Sequence, residues 1–272
     1  MIVKRDASAL WCEPLPADLP ARLDAAIDRG LDACNDDDPR IHFRADDVGV
    51  PGRQFDEMLG MFRARRAPLS LAVVPAWLTP ARWEVIRREY EADGELWAWH
   101  QHGWRHVSHA VAGRKGEFGD DRHLGDLSQD LRKGRDRLRG MLGGRFAPVF
   151  TPPWNRMGAE AMRILARLGF RAVSRTPGAE PAAPDGMADF PVHCDLHTRK
   201  EDDPVLSLER LLAELERGVG TGLCGIMLHH QRMNGRAASF LDELLASVTR
   251  SPRLRAVHFG HLLPPPASIP HT

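Results

Sequence analysis

Short apolar, β-rich runs punctuate most of the chain, at 41–45, 69–74, 96–99, 146–150, 171–174, 223–228 and 256–259. Between them lie stretches with apolar residues at helical spacing and recognisable ends. Thr79-Pro80 supplies an N-cap and first-turn proline for a helix running to Gly94, and 124–142 is amphipathic and arginine-rich. Stretches 159–168 and 208–217 stop at Gly169 and Gly218, and 240–248 repeats apolar residues at the same period. Ahead of all these, Leu19, Leu23, Ala26, Ile27 and Leu31 mark a helical preface, which Asn35-Asp36-Asp37-Asp38-Pro39 breaks. Strands alternating with helices predict a parallel α/β architecture, either an open doubly wound sheet or a closed or nearly closed barrel.

Composition narrows the class. A chain of 272 residues fits one large domain or at most two small ones, and 43% hydrophobic with 27% charged residues reads as soluble and globular. The 37 basic residues match the 37 acidic ones, which argues against a nucleic-acid or anionic-membrane partner. Cys12, Cys34, Cys194 and Cys224 fall in no CxxC spacing and read as free thiols. No apolar run approaches a bilayer span, and Met1 to Asp6 lacks the apolar core of a secretory signal, so a cytoplasmic protein is expected.

Ligands of parallel α/β folds bind where strands end. The strand-end residues here are Asp46-Asp47, His100 to His106, Thr151 to Asn155 and His229-His230. Adjacent carboxylates on extended backbone point opposite ways, so only a turn lets Asp46 and Asp47 share a cleft, one as metal ligand and one as base. The plainer alternative is a solvated turn or helix cap. Four of the thirteen histidines crowd into His100 to His109, and His102 and His106, four apart, suit one face of a helical turn that could share an ion. Thr151-Pro152-Pro153-Trp154-Asn155-Arg156 offers a rigid backbone, an apolar wall and hydrogen-bonding groups, or simply a turn. His229, ending a buried strand, suits a general acid, although a lone histidine there is more often structural. His193-Cys194-Asp195-Leu196-His197 could tune another histidine or be a polar loop. The glycine-rich, charged stretch 113–122 reads either as a mobile cap over the site or as an ordinary solvated loop.

The order Asp-Asp, His-x3-His, Pro-containing loop, Asp, Leu-His resembles the polysaccharide deacetylase (NodB homology, carbohydrate esterase family 4) superfamily over roughly residues 40 to 262. The resemblance implies a distorted (β/α)7 barrel as a catalytic domain of residues 40–272, and residues 1–39, which it does not cover, are expected to pack on that domain as a helical extension. It implies a divalent metal, usually zinc, on Asp47, His102 and His106, with Asp46 as general base and His229 as general acid. Asp195 is the counterpart of the Asp that tunes this histidine, though Leu196 stands where a tryptophan normally follows.

Two departures mark a divergent branch. Arg44-Ala45 replaces the usual Thr-Phe, and Thr151 stands where the family carries an Arg that holds its base. Arg156 or Asn155 is expected to take over that contact, or the base is held differently. Trp104, Pro153, Trp154, Asn155 and Arg156 are the candidates for substrate contact. The activity implied is removal of an N-acetyl group from an amino sugar or related carbohydrate, on a small-molecule or oligosaccharide substrate. Hydrolysis of another non-peptide C–N bond, in a formamido sugar or a cyclic amide, and a non-catalytic metal- or carbohydrate-binding module are the alternatives.

Overall fold

A computed structural model describes residues 7–263 of the chain. The sequence read for a signal at Met1 to Asp6, and the outer bounds expected for the two segments at residues 1 and 272, lie outside the described residues. Strands β1 (Arg40–Val48), β2 (Leu69–Val73), β3 (Trp97–His102), β4 (Phe146–Thr151), β5 (Ala172–Val173), β6 (Ala188–Asp189), β7 (Cys194–Asp195), β8 (Leu223–Leu228) and β9 (Arg255–Val257) form a single parallel sheet. The strand order is β6-β5-β4-β3-β2-β1-β8-β7, and β9 pairs with the first residues of β1. Helix α1 (Leu19–Ala33) precedes β1, helices α2 (Arg53–Ala64), α3 (Pro80–Tyr90), α4 (Leu124–Leu142), α5 (Ala159–Arg167), α6 (Pro204–Gly220) and α7 (Gly235–Arg250) lie between strands, and α8 (Phe259–Leu262) follows β9. The sheet curls into the distorted barrel expected. Segment 190–193 bridges its two edges, through Phe190 N–H to Val173 O, Val192 N–H to Arg175 O and His193 N–H to Gly225 O.

Local chemistry explains the element ends. The Thr79 hydroxyl accepts the Arg82 N–H as anticipated, but α3 ends at Tyr90, and a 3₁₀ turn from Glu91 to Leu96 fills the stretch to the next strand. The helices expected from 208 and 240 start earlier, behind the caps Asp203 and Asn234, whose carboxylate and amide oxygens accept first-turn N–H groups. Helix α2 carries no side-chain cap, so only its buried stripe of Phe55, Met58, Leu59 and Phe62 announces it.

Strand alternation sorts side chains into two sets. Ile41, Phe43 and Ala45 of β1 join the main core under the helices. His42, Arg44 and Asp46 point the other way, into the barrel. Ser70, Ala98, Ala147 and Ala172 keep that interior open, and Phe259 plugs its base against His42 and His100. Gly225 is required there, because a Cβ would fall 2.6 Å from His42 Nε2 and closer still to Pro191 O.

The N-terminal segment is built into this frame. Helix α1 packs on α6 and α7, contributing Leu23, Ile27 and Leu31 to the main core. The preceding turn ties to the strand-end loops: Ser8 Oγ donates to His197 O and Trp11 Nε1 to Leu196 O, while Asn234 Nδ2 donates to Trp11 O. Among the described residues no helix is long and apolar enough to cross a membrane.

The buried histidines make the fold sensitive to acid. Burial pushes His42, His100 and His197 down to about 3, so they stay neutral in the folded chain. Below their unfolded value near 6.5 the unfolded chain binds more protons, and stability therefore falls as pH falls from there towards 3. Each histidine contributes up to about 1.4 kcal/mol per pH unit of that loss. The urea midpoint should drop clearly between about pH 7.5 and about pH 5, well above the range where the depressed carboxylates titrate. An unchanged midpoint refutes the neutral buried state.

Candidate metal centre and active site

Asp46 and Asp47 do share one cleft, and the backbone shows how. The pairing of β1 with β2 slips between Ala45 and Val48, and Asp47 adopts a left-handed φ of 61°. This turn brings Asp47 Oδ1 to 3.4 Å from His102 Nε2 and 3.2 Å from His106 Nε2. Gln231 Nε2 donates to the Asp47 carbonyl and braces the turn.

The histidine pair is assembled differently from the helical turn expected. His102 ends β3, and His106 returns to it through a loop in which Gly103 and His106 both have left-handed φ, 61° and 59°. His102 Nδ1 donates to the Thr151 carbonyl at 2.9 Å, which turns Nε2 towards Asp47.

These donors fit a divalent ion. Asp47 Oδ1 is buried and accepts no hydrogen bond of normal geometry, and the three ligand atoms lie within 4.8 Å of one another. A tetrahedron with bonds of ~2.1 Å sets its corners about 3.4 Å apart, close to the separations present. Burial opposes charge on Asp47, but the adjacent His102 and His106 outweigh that and hold the carboxyl far below the usual range. Burial also opposes charge on His102, yet Asp46 and Asp47 raise it above its ordinary value. His106 is pushed down to about 4 by burial and by its neighbour His102.

Asp46 is held by a residue the sequence reading did not assign. Arg44, two positions earlier on the same strand face, donates from Nε to Asp46 Oδ1 and from Nη2 to Oδ2, both at 2.8 Å. Its remaining N–H groups go to Ser174 O, Ser174 Oγ and Asn155 Oδ1. All five guanidinium donors are thus used, and the Arg44 side chain has no solvent exposure. Of the alternatives expected, neither Arg156 nor Asn155 takes over the contact and the base is held differently: Asn155 braces Arg44, and Arg156 donates to Lys115 O in an exposed loop. Burial raises the Asp46 carboxyl, but Arg44, His102 and His229 outweigh it and keep it below its ordinary value.

The loop after β4 serves several of these contacts. Thr151 binds His102 through its carbonyl and His100 through its hydroxyl. Trp154 and Asn155 both have φ of 57°, uncommon for non-glycine residues and costly for a bulky one. That backbone lays the Trp154 ring 4.5 Å from the His106 ring and turns the Asn155 amide onto Arg44. Trp77, unnoticed in the sequence, lies beside His106 at 5.9 Å, whereas Trp104 packs on the cluster around Phe118 and Phe150. Pro153 is buried against Gly103.

At the end of β8, the His229 N–H donates to His197 Nδ1. Asp195 Oδ1 accepts the His197 and Thr198 N–H groups, and Oδ2 accepts the Thr198 hydroxyl, so this carboxylate shapes the turn beneath His229 and makes no hydrogen bond to its ring. His230 is buried edge-on against Phe55. Segment 113–122 is neither a free cap nor a solvated loop throughout, because Glu117 and Phe118 are fully buried.

No protein-family model matches the chain, and no curated protein matches its sequence. Solved structures do match. A Mycobacterium smegmatis protein assigned as a polysaccharide deacetylase superposes with TM-score 0.62 at 18% identity, covering 84% of this chain and 90% of that one. The Puue allantoinase gives 0.61 at 14% identity, covering 82% and 88%. The chitin deacetylase of the fungus Colletotrichum lindemuthianum gives 0.55 at 17% identity, covering 85% and 89%. The chain therefore has the barrel fold that these deacetylases share.

Proposed function

We propose that the protein is a metal-dependent hydrolase of the polysaccharide deacetylase superfamily that removes an acetyl or other small acyl group from an amino sugar or related carbohydrate. The observation that carries this reading is the Asp47, His102, His106 donor set standing beside a carboxylate, Asp46, that a buried arginine holds ionised. Those three residues would hold the ion, and zinc suits two imidazoles and a carboxylate. When bound, such an ion lowers the pKa of water and polarises an acyl carbonyl.

The remaining steps belong to the chain's own groups. Asp46, ionised and fixed by Arg44, accepts the proton of the attacking water. His229 gives a proton to the departing amine, which an amide requires because an amide anion is a very poor leaving group. Trp77 and Trp154 wall the site on the His106 side and offer flat faces to a sugar ring. Asp195 acts indirectly, by shaping the turn on which His197 receives the His229 N–H. Ser8 and Trp11, in the segment ahead of α1, brace the catalytic unit through their contacts with that turn.

Fold likeness to an allantoinase as close as to a deacetylase supports a second reading, hydrolysis of a different non-peptide C–N bond on the same centre. Purified protein should carry one divalent ion per chain, and His102→Ala should lose it. A product screen over acetyl sugars, formyl sugars and cyclic amides then separates the readings, by released acetate, by formate, or by ring opening without a released acid. Protein free of divalent metal, or His102→Ala with unchanged metal content, refutes the ligand set.

A further inference from the structure

The loop that brings His106 to the centre closes around a carboxylate that plays no part in the chemistry proposed above. Glu117 is fully buried, and its side chain accepts three consecutive backbone N–H groups, from Trp104 at 3.2 Å, Arg105 at 2.7 Å and His106 at 3.2 Å. Consecutive N–H groups converging on one anion form a nest, which fixes the backbone between them. Gly103 opens this turn and must be glycine twice over. Its φ is 61°, and a Cβ would lie 2.1 Å from Glu117 Oε2 and 2.6 Å from Pro153 Cγ.

The carboxylate is itself anchored on both sides. Phe118, its neighbour, is buried in the cluster with Phe150 and Leu131, and its carbonyl accepts the Gly158 N–H at 2.7 Å. Arg122 donates to the Glu117 carbonyl and to Asp130 of α4. The segment between the histidine and the carboxylate closes on itself, through His109 N–H to Gly116 O and Gly116 N–H to Ser108 Oγ. His106 therefore reaches Asp47 from a loop whose shape depends on an internal anion tied to the scaffold.

We infer that Glu117 is a positioning residue that sets the affinity of the Asp47, His102, His106 site for a divalent ion by fixing the backbone of His106. Its oxygens face backbone donors, so it acts through the backbone of His106 and not on the ligand atoms themselves. The inference rests on the metal-site reading made above.

The test is zinc affinity, read by competition with a chromophoric chelator, for the full-length wild type, Glu117→Gln, Glu117→Ala, His106→Ala and the Glu117→Gln/His106→Ala double variant. Glutamine keeps the volume but turns an amide N–H₂ towards the nest's donors. It should weaken zinc binding tenfold to a hundredfold, the scale on which partners that orient a metal ligand act. In the double variant the two losses should not add, because the residues act as one unit. The visible spectrum of the cobalt-loaded Glu117→Gln protein should shift with the changed ligand geometry, at unaltered far-UV circular dichroism. Folded Glu117→Gln or Glu117→Ala that binds zinc within twofold of wild type overturns the inference and leaves the metal site standing. Additive losses overturn it equally, and a wild type that binds no zinc overturns both.

Discussion

Replacing Asp46 by asparagine should abolish nearly all turnover while leaving the metal in place. The expected loss in kcat is about 10²–10⁴-fold, the usual contribution of a positioned general base. Two features of the site make the result diagnostic. Asp46 lies outside the trio whose donor atoms converge, so metal stoichiometry should stay at one per chain. Asparagine is also nearly isosteric and keeps one oxygen for Arg44, so the barrel interior should stay packed. Some stability is still lost, because the buried guanidinium loses its counter-charge. Turnover of the folded, metal-loaded variant, measured on whichever substrate the product screen finds, decides the matter. Full activity there would show that another group takes the proton.

The chemistry at the strand ends was legible because each group sits next to an apolar run that ends abruptly. Asp46, Asp47, His102 and His229 could be placed on strand termini from pattern alone, and the need for a turn between the two aspartates follows from β geometry. What holds these groups was harder to read. Arg44 lies inside an apolar run and looks like an intruder, although His42, Arg44 and Asp46 at i, i+2 and i+4 do announce a polar inner face. Glu117 gives no local signal, since its partners are backbone N–H groups more than ten residues away and depend on left-handed turns at Gly103 and His106. The same turns explain why helical spacing misjudged the His102 and His106 pair. Trp77 was invisible for a different reason: its place beside His106 depends on the packing of the β2 and β3 loops, which no single segment encodes.

The arginine supplies the second large effect, which separates what this ion pair does for the fold from what it does for the reaction. Arg44→Met should destabilise the protein by about 3–5 kcal/mol, the scale for removing one partner of a buried pair and leaving the other uncompensated. Burial then acts on Asp46 without its main opposing charge, so its carboxyl, now below the ordinary range, should rise. A base must be ionised to act, so residual activity should vanish at a higher pH than in wild type: the acid limb of the rate profile moves up. Arg44→Lys keeps a charge but not the two-pronged grip, and should fall between the two. The double variant Arg44→Met/Asp46→Leu removes both charges together. Its stability should recover much of the loss, since apolar groups of similar volume commonly replace a buried pair at little cost. Its activity should stay absent, because no base remains. An unshifted acid limb in Arg44→Met, checked alongside its urea midpoint, would confine Arg44 to the fold. A shift that follows the loss of the guanidinium shows that an arginine on the base's own strand performs the task for which Thr151 carries no charge.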